Sequence, residues 1–159
     1  MQKTRTKILV VEDNVSIRGM YAEILEDEGY GVTTAIDGQD ALRQLSGMQV
    51  KAALVDMMMP GMDGLELCRQ LRQADATHLL PIILISAGPN VVGKAKEVQA
   101  NAVLVKSFDL DNLLRLVDKV VVADSAGTED VIVHGCNPFS GGPALHTDSN
   151  FQEKYHERH

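Results

Sequence analysis

The feature that most constrains the fold of this chain is a regular alternation of short apolar runs with stretches of helical periodicity. Four runs are unbroken and apolar, which is typical of parallel strands covered on both faces, and one mixes Val with Thr, as in an edge strand. The runs are 8–11, 31–35, 52–55, 82–85 and 102–105. Strict alternation of strand and helix predicts an α/β fold with a doubly wound parallel sheet.

Capping residues predict where the helices begin and end. Asn14 or Ser16 can cap the first helix, which Gly29 ends, and Asp63 can cap the third. The fourth helix, predicted over 91–99, has only three apolar residues on one side, so we expect it to be weakly buried and ready to move. The fifth is strongly amphipathic, and its predicted buried positions are Leu110, Leu113, Leu114, Val117 and Val120.

Polar side chains follow four of the runs at the point where each predicted strand ends. They are Glu12 and Asp13, then Asp56, Ser86 and Lys106. Ligand sites in open α/β sheets form beyond the carboxyl ends of the strands, so we expect these groups to converge. Three adjacent carboxylates repel one another unless a cation lies among them, and oxygen ligands at an open mouth suit Mg²⁺. A carboxylate in such a site can act as the nucleophile that forms an aspartyl phosphate.

Four motifs in this order resemble the receiver domain of two-component response regulators. They are E-D-N after the first strand, D-M-M-M-P-G-M-D-G after the third, S-A after the fourth and K-S-F after the fifth. The resemblance covers about residues 7–121. It implies a flavodoxin-like (βα)5 fold with strand order 2-1-3-4-5. It also implies a cytoplasmic phosphorelay protein that receives a phosphoryl group on Asp56 from a histidine kinase or histidine phosphotransfer protein and signals to a downstream protein target.

The resemblance also implies a role for each metal-site residue. Asp13 and Asp56 would ligate Mg²⁺ together with the backbone carbonyl of Met58, while Glu12 would act largely through water. The chain would assist its own phosphorylation and dephosphorylation without being an enzyme for other substrates.

Ser86 and Lys106 would bind the phosphoryl oxygens, and Ser86 would belong to the conformational switch. The sequence departs from the family pattern at two positions nearby. Val103 stands where the family usually has a Tyr or Phe whose inward rotation reports phosphorylation. Ser107 stands where the family usually has Pro. Because a non-proline cis peptide bond costs about 3 kcal/mol, we predict a trans bond between Lys106 and Ser107.

Two other functions remain open at this level. A constitutive binding or scaffold protein on a receiver fold is favoured by Val103 and Ser107, whereas the complete acidic site argues against it. An aspartyl-phosphate phosphatase would usually carry a second acid two residues after the nucleophile, and this chain has Met58 there.

The rest of the sequence limits partners and location. A net charge of −7 argues against direct nucleic-acid binding, and no run approaches the roughly 18 apolar residues of a membrane span. Cys68 and Cys136 lie far apart, as in a reduced cytosolic protein, and Cys68 is expected in the core of the third helix.

We divide the chain into a receiver domain, 1–121, and a C-terminal tail, 122–159, predicted to be flexible or to form a short partner-binding segment. Residues 131–133 could add a strand to a sheet edge, although a loose tail is the preferred prediction, and a homodimer is compatible with the sequence.

Overall fold

The computed structural model describes residues 6–87, 90–106 and 108–122, and the backbone of 132–134. Strands and helices alternate through these residues, as the apolar runs predict. The strands are β1 Lys7–Val11, β2 Gly31–Ala35, β3 Ala52–Asp56, β4 Ile82–Ser86, β5 Ala102–Val105 and β6 Ile132–His134. The helices are α1 Val15–Asp27, α2 Gly38–Leu45, α3 Gly64–Gln73, α4 Val91–Glu97 and α5 Leu110–Val122. None of these helices combines the length and apolar character needed to cross a membrane.

The sheet is parallel throughout, with strand order β2-β1-β3-β4-β5-β6. The predicted order of the first five strands is therefore confirmed, and β2 is an edge strand as expected. β1 has β2 on one side and β3 on the other, so the order of the strands reverses at β1. This reversal opens a crevice beyond the carboxyl ends of β1 and β3, which is where ligands bind in such sheets.

The core lies in two layers, one on each face of the sheet. Alternate residues of β1 point to opposite faces, with Leu9 and Val11 in one layer and Ile8 and Val10 in the other. The first layer is covered by α2, α3 and α4, and the second by α1 and α5. Cys68 of α3 is fully buried in the first layer, as predicted. β3 and β4 are buried along their whole length, so the polar groups at their ends emerge from a rigid support.

Side-chain caps begin three of the helices. Asn14 accepts a hydrogen bond from the Ile17 backbone, and Asp63 accepts one from the Glu66 backbone, so both predicted caps form. Asp37 caps α2 in the same way. These caps satisfy N–H groups that a helix leaves unpaired at its start.

The prediction for α5 was wrong at Leu110, and Leu114 is only partly buried. Leu110 is 41% exposed, whereas Leu116, which the periodicity did not select, is fully buried. Leu110 is the first residue of the helix and lies beyond the edge of the core, while Leu116 lies one turn before Val120 on the face that packs against the sheet.

α4 is the shortest helix in the described part of the chain and ends at Glu97, two residues earlier than predicted. Its N-cap, Asn90, has left-handed backbone angles and makes no side-chain capping bond. Val92 is buried in addition to the predicted apolar positions. The short length and the missing cap leave α4 with few local interactions of its own, so its position depends on packing against the sheet.

β6 corrects the preferred prediction for the tail. The segment expected to be loose contributes a strand, Ile132–His134, which pairs with β5 and extends the predicted five-stranded sheet to six strands. The first residue of the tail, Val122, is the last residue of α5, and residues 123–131 and 135–159 lie outside the described residues.

Candidate functional site

Three carboxylates meet beyond the carboxyl ends of β1 and β3. One ligand oxygen from each of Glu12, Asp13 and Asp56 lies within 4.8 Å of the others. Glu12 and Asp56 are buried, at 2% and 3% exposure, while Asp13 faces solvent. The structure therefore brings together the three acids that the sequence predicts at one site, with one of them open to the outside.

Glu12 is the acid of this group whose buried carboxylate is least well satisfied by hydrogen bonds. Its Oε2 accepts a hydrogen bond of 3.1 Å from the Asn14 backbone, but its buried Oε1 has no hydrogen-bond partner within the described residues. Burial raises the pKa of Glu12 to about 7, and the charge of Asp56 adds to the increase, while the Asn14 bond opposes it. A buried carboxylate oxygen without a partner is costly, so this site favours a cation.

The donor set fits Mg²⁺. All the side-chain ligands offered are carboxylate oxygens, the cluster is open to solvent at Asp13, and Glu12 brings a buried Oε1 that has no hydrogen-bond partner within the described residues. Met58 lies in the loop after Asp56, where its backbone N–H donates to Asp56 Oδ1 at 3.3 Å. The role of the Met58 carbonyl as a ligand stays a prediction. Met58 is 71% exposed, and its side chain supplies no acid for phosphatase chemistry.

Lys106 provides the positive charge of the site. It directly follows β5, and its Nζ lies 3.6 Å from Asp56 Oδ1 at the end of β3. Its backbone N–H donates to the Ser86 carbonyl at 2.7 Å, which holds the end of β5 against the end of β4. The lysine thus reaches across β4 to the buried carboxylate, as its position in the sequence predicts.

The two predicted switch residues are buried. Ser86 is the last residue of β4 and is 1% exposed, with its strand end directed toward the site. Val103 is fully buried in the core layer that also contains Val91 and Ala95 of α4. Ser107 lies outside the described residues, so the prediction of a trans bond after Lys106 stays a prediction.

Two supporting residues were missed in the sequence. Arg18 of α1 donates through one guanidinium nitrogen to the backbone carbonyls of Glu12, at 2.9 Å, and Asp13, at 3.3 Å. A Cβ added to Gly64 would lie 2.4 Å from the Asp56 carbonyl oxygen, so only glycine lets α3 begin against this loop. The motif places a glycine directly after the cap residue Asp63, which was an available signal; nothing in the sequence marked Arg18.

Comparisons with known proteins agree with this geometry. A family model described as the response regulator receiver domain matches residues 8–118. The response regulator ArlR of Staphylococcus aureus is 34% identical over 118 residues, which are 73% of this chain and 52% of ArlR. The chain therefore spans about half the length of the curated relatives it matches.

Two similar solved structures are covered over nearly their whole length. The chemotaxis protein CheY4 of Vibrio cholerae is 33% identical, with a TM-score of 0.69 over 72% of this chain and 98% of that one. The response regulator TrrA of Thermotoga maritima, solved in complex with Mg²⁺ and a beryllium fluoride, is 33% identical with a TM-score of 0.67, covering 73% of this chain and 99% of TrrA.

Proposed function

We propose that this chain, which belongs to the response regulator receiver domain family, acts as a two-component response regulator with Asp56 as its phosphoryl acceptor. The observation that supports this most is the pairing of a buried carboxylate with a cation at the end of a rigid strand. Asp56 is 3% exposed, and the Lys106 ammonium lies 3.6 Å from its Oδ1. A carboxylate held in this way has a fixed direction of attack and a positive charge beside it.

In the proposed reaction, a carboxylate oxygen of Asp56 attacks the phosphorus of a phosphohistidine on the donor protein. A P–O bond forms, the P–N bond breaks, and the donor imidazole leaves with the electron pair of that bond. Lys106 offsets the charge on the phosphoryl oxygens, and the Ser86 hydroxyl donates a hydrogen bond to one of them. The chain supplies mainly position and charge, which are what phosphoryl transfer requires.

Asp13, Asp56 and the Met58 carbonyl would hold Mg²⁺, with Glu12 acting through water. The ion would supply positive charge against the mutual repulsion of the carboxylates and the incoming phosphoryl oxygens. The unpartnered Oε1 of Glu12 supports this assignment, because a hydrated cation would satisfy it.

We assign the donor to a histidine kinase or histidine phosphotransfer protein and the output to contacts with a downstream protein. We place the protein in the cytoplasm and expect it to catalyse only its own phosphorylation and dephosphorylation. The constitutive scaffold is not favoured, since all three acids and the lysine are brought together as phosphorylation requires.

The test is incubation with Mg²⁺ and acetyl phosphate followed by intact-mass measurement. The wild type should gain one phosphoryl group, and Asp56→Asn should gain none. Asp63→Asn is the matched control, because it removes a carboxylate from the end of the same loop while Asn still caps α3.

Labelling of Asp63→Asn but not of Asp56→Asn would support the assignment. Equal labelling of Asp56→Asn and the wild type would show that another residue is the acceptor. No labelling of the wild type, under conditions that label a known receiver, would restore the scaffold function.

A further inference from the structure

β6 is the one strand of the described sheet that lies outside the predicted (βα)5 unit. It pairs in parallel with β5 along the edge that would otherwise be open. The register places Ala102 opposite Ile132, Val103 opposite Val133 and Leu104 opposite His134. It is only three residues long and lies at the end of the sheet, so few hydrogen bonds hold it in place.

β5 connects this edge strand to the acidic site. It lies between β4 and β6. Lys106 follows β5 directly, its backbone is bonded to Ser86 at the end of β4, and its ammonium reaches Asp56 at the end of β3. All of these contacts lie on the side of β5 away from β6. A pull on Lys106 toward the site therefore draws the end of β5 toward β4 and away from β6.

The paired residues lie close to the point where this pull acts. Leu104 is opposite the last residue of β6 and stands two positions before Lys106. Val103, opposite the middle of β6, is fully buried and has no ring that could rotate between two positions. A structural change at the acidic site can therefore reach β6 directly through the backbone of β5. It cannot be transmitted by rotation of an aromatic ring at position 103, because that residue is Val103.

We infer that β6 reports the state of the site: its pairing with β5 weakens when Asp56 is phosphorylated. The chain's own segment Ile132–His134 then leaves the edge of the sheet that β5 forms. The inference rests on the proposed function, because it requires a phosphoryl group on Asp56 to draw Lys106 and Ser86 inward.

The first test is hydrogen exchange of the full chain with and without Mg²⁺ and acetyl phosphate, with intact mass measured on the same samples. Amides of 132–134 should exchange about tenfold faster after phosphorylation, as expected for the loss of one or two hydrogen bonds. β2, the opposite edge strand, has no link to Lys106 and should be unchanged. A phosphoryl mass gain with unchanged or slower exchange in β6 overturns this inference and leaves the proposed function standing. An absent mass gain overturns both.

The second test uses the reciprocity of coupled equilibria. Replacing both Val133 and His134 with Pro removes two successive backbone N–H groups, one of which must face β5, and should abolish pairing, whereas replacing both with Ala keeps the backbone bonds. If phosphorylation and β6 pairing oppose each other, beryllofluoride with Mg²⁺ should bind the double-proline variant about tenfold more tightly than the double-alanine variant. Far-ultraviolet circular dichroism checks that both variants fold. Equal affinities in two folded variants would overturn the coupling.

Discussion

Among the three acids, Glu12 is the one whose ionised side chain costs the folded state the most free energy. Its side chain is buried beside Asp56, and one of its oxygens has no hydrogen-bond partner within the described residues. Ordinary glutamate ionises near 4.5, but burial raises the pKa of Glu12 to about 7. The cost of charging this group is therefore part of the folding free energy of the metal-free protein.

We predict that Glu12 makes the metal-free protein less stable as pH rises from about 4.5 to 7. In that window the unfolded chain has lost the Glu12 proton and the folded chain still holds it, so the free energy of unfolding falls with pH. The contribution reaches about 3 kcal/mol above pH 7. Urea unfolding in EDTA should show that the free energy of unfolding of Glu12→Gln rises relative to that of the wild type as pH increases across this window. Glu23→Gln, on the exposed side of α1, is the control. Parallel curves for the wild type and Glu12→Gln would contradict the prediction.

Gly64 should tolerate no side chain. An added Cβ would lie 2.4 Å from the Asp56 carbonyl oxygen and 2.8 Å from the Met57 Cα, both of which are backbone atoms that cannot turn aside. Gly64→Ala should lower the free energy of unfolding by roughly 1–3 kcal/mol and reduce labelling of Asp56.

The control for Gly64→Ala is Gly19→Ala in α1, where nothing lies within 4 Å of the added Cβ. In an exposed helix interior, alanine should stabilise by up to about 1 kcal/mol. Chemical denaturation of the two variants measures both effects. A loss at Gly19 equal to that at Gly64 would show that the close approach is not the cause.

At the scale of elements, Arg72 ties the end of α3 to the segment after α4. Its guanidinium donates twice to the Gln99 carbonyl, at 2.8 and 3.1 Å, and once to the Leu80 carbonyl, at 2.7 Å. It also donates to the Asn101 side chain, which in turn accepts from the backbone of Ile82 at the start of β4. α4 is therefore anchored at its C-terminal end, while its N-terminal end near Ser86 lacks a side-chain cap.

We expect Arg72→Met to lower the free energy of unfolding by roughly 2 kcal/mol or more, because several partly buried acceptors lose their donor. Hydrogen exchange should rise at residues 97–101. Arg69→Met, on the same helix, removes an exposed ion pair with Glu66 and should change stability by less than about 0.5 kcal/mol. Similar losses in both variants would argue against a special role for Arg72.

This anchor also explains a limit of prediction at the element scale. The caps Asn14 and Asp63 were predictable, because the side chain that caps a helix lies within three residues of its target. The early end of α4 was not, since Gln99 has a φ of 58° and is held by Arg72, which lies 27 residues away.

At the scale of the whole molecule, the negative charge of the acidic site links Mg²⁺ binding to the free energy of unfolding. Mg²⁺ that binds only the folded chain should raise its free energy of unfolding by about 2.7 kcal/mol at a concentration 100 times the dissociation constant. Thermal unfolding with Mg²⁺ and with EDTA measures this. Asp13→Asn should lose most of the increase, whereas Asp75→Asn, an exposed acid outside the site, should keep it. An equal increase in Asp13→Asn would exclude Asp13 as a ligand.

The sequence by itself determined the five βα units, the parallel direction of their strands and the group of residues that meets at the strand ends. These follow from local periodicity and from the rule that parallel strands end at one edge, so no distant contact had to be known. The family motifs then assigned Asp56, Lys106 and the acids their expected roles.

Only the tertiary structure decided how these groups meet. The unpartnered oxygen of Glu12, the reach of Lys106 across β4 and the approach of Gly64 to the Asp56 carbonyl all depend on distances between elements. The sixth strand is the clearest case: its segment reads as a strand or as a loose tail, and pairing with the apolar edge of β5 selects the strand. Local sequence carries no record of which edge is open, because an edge exists only once the sheet has formed.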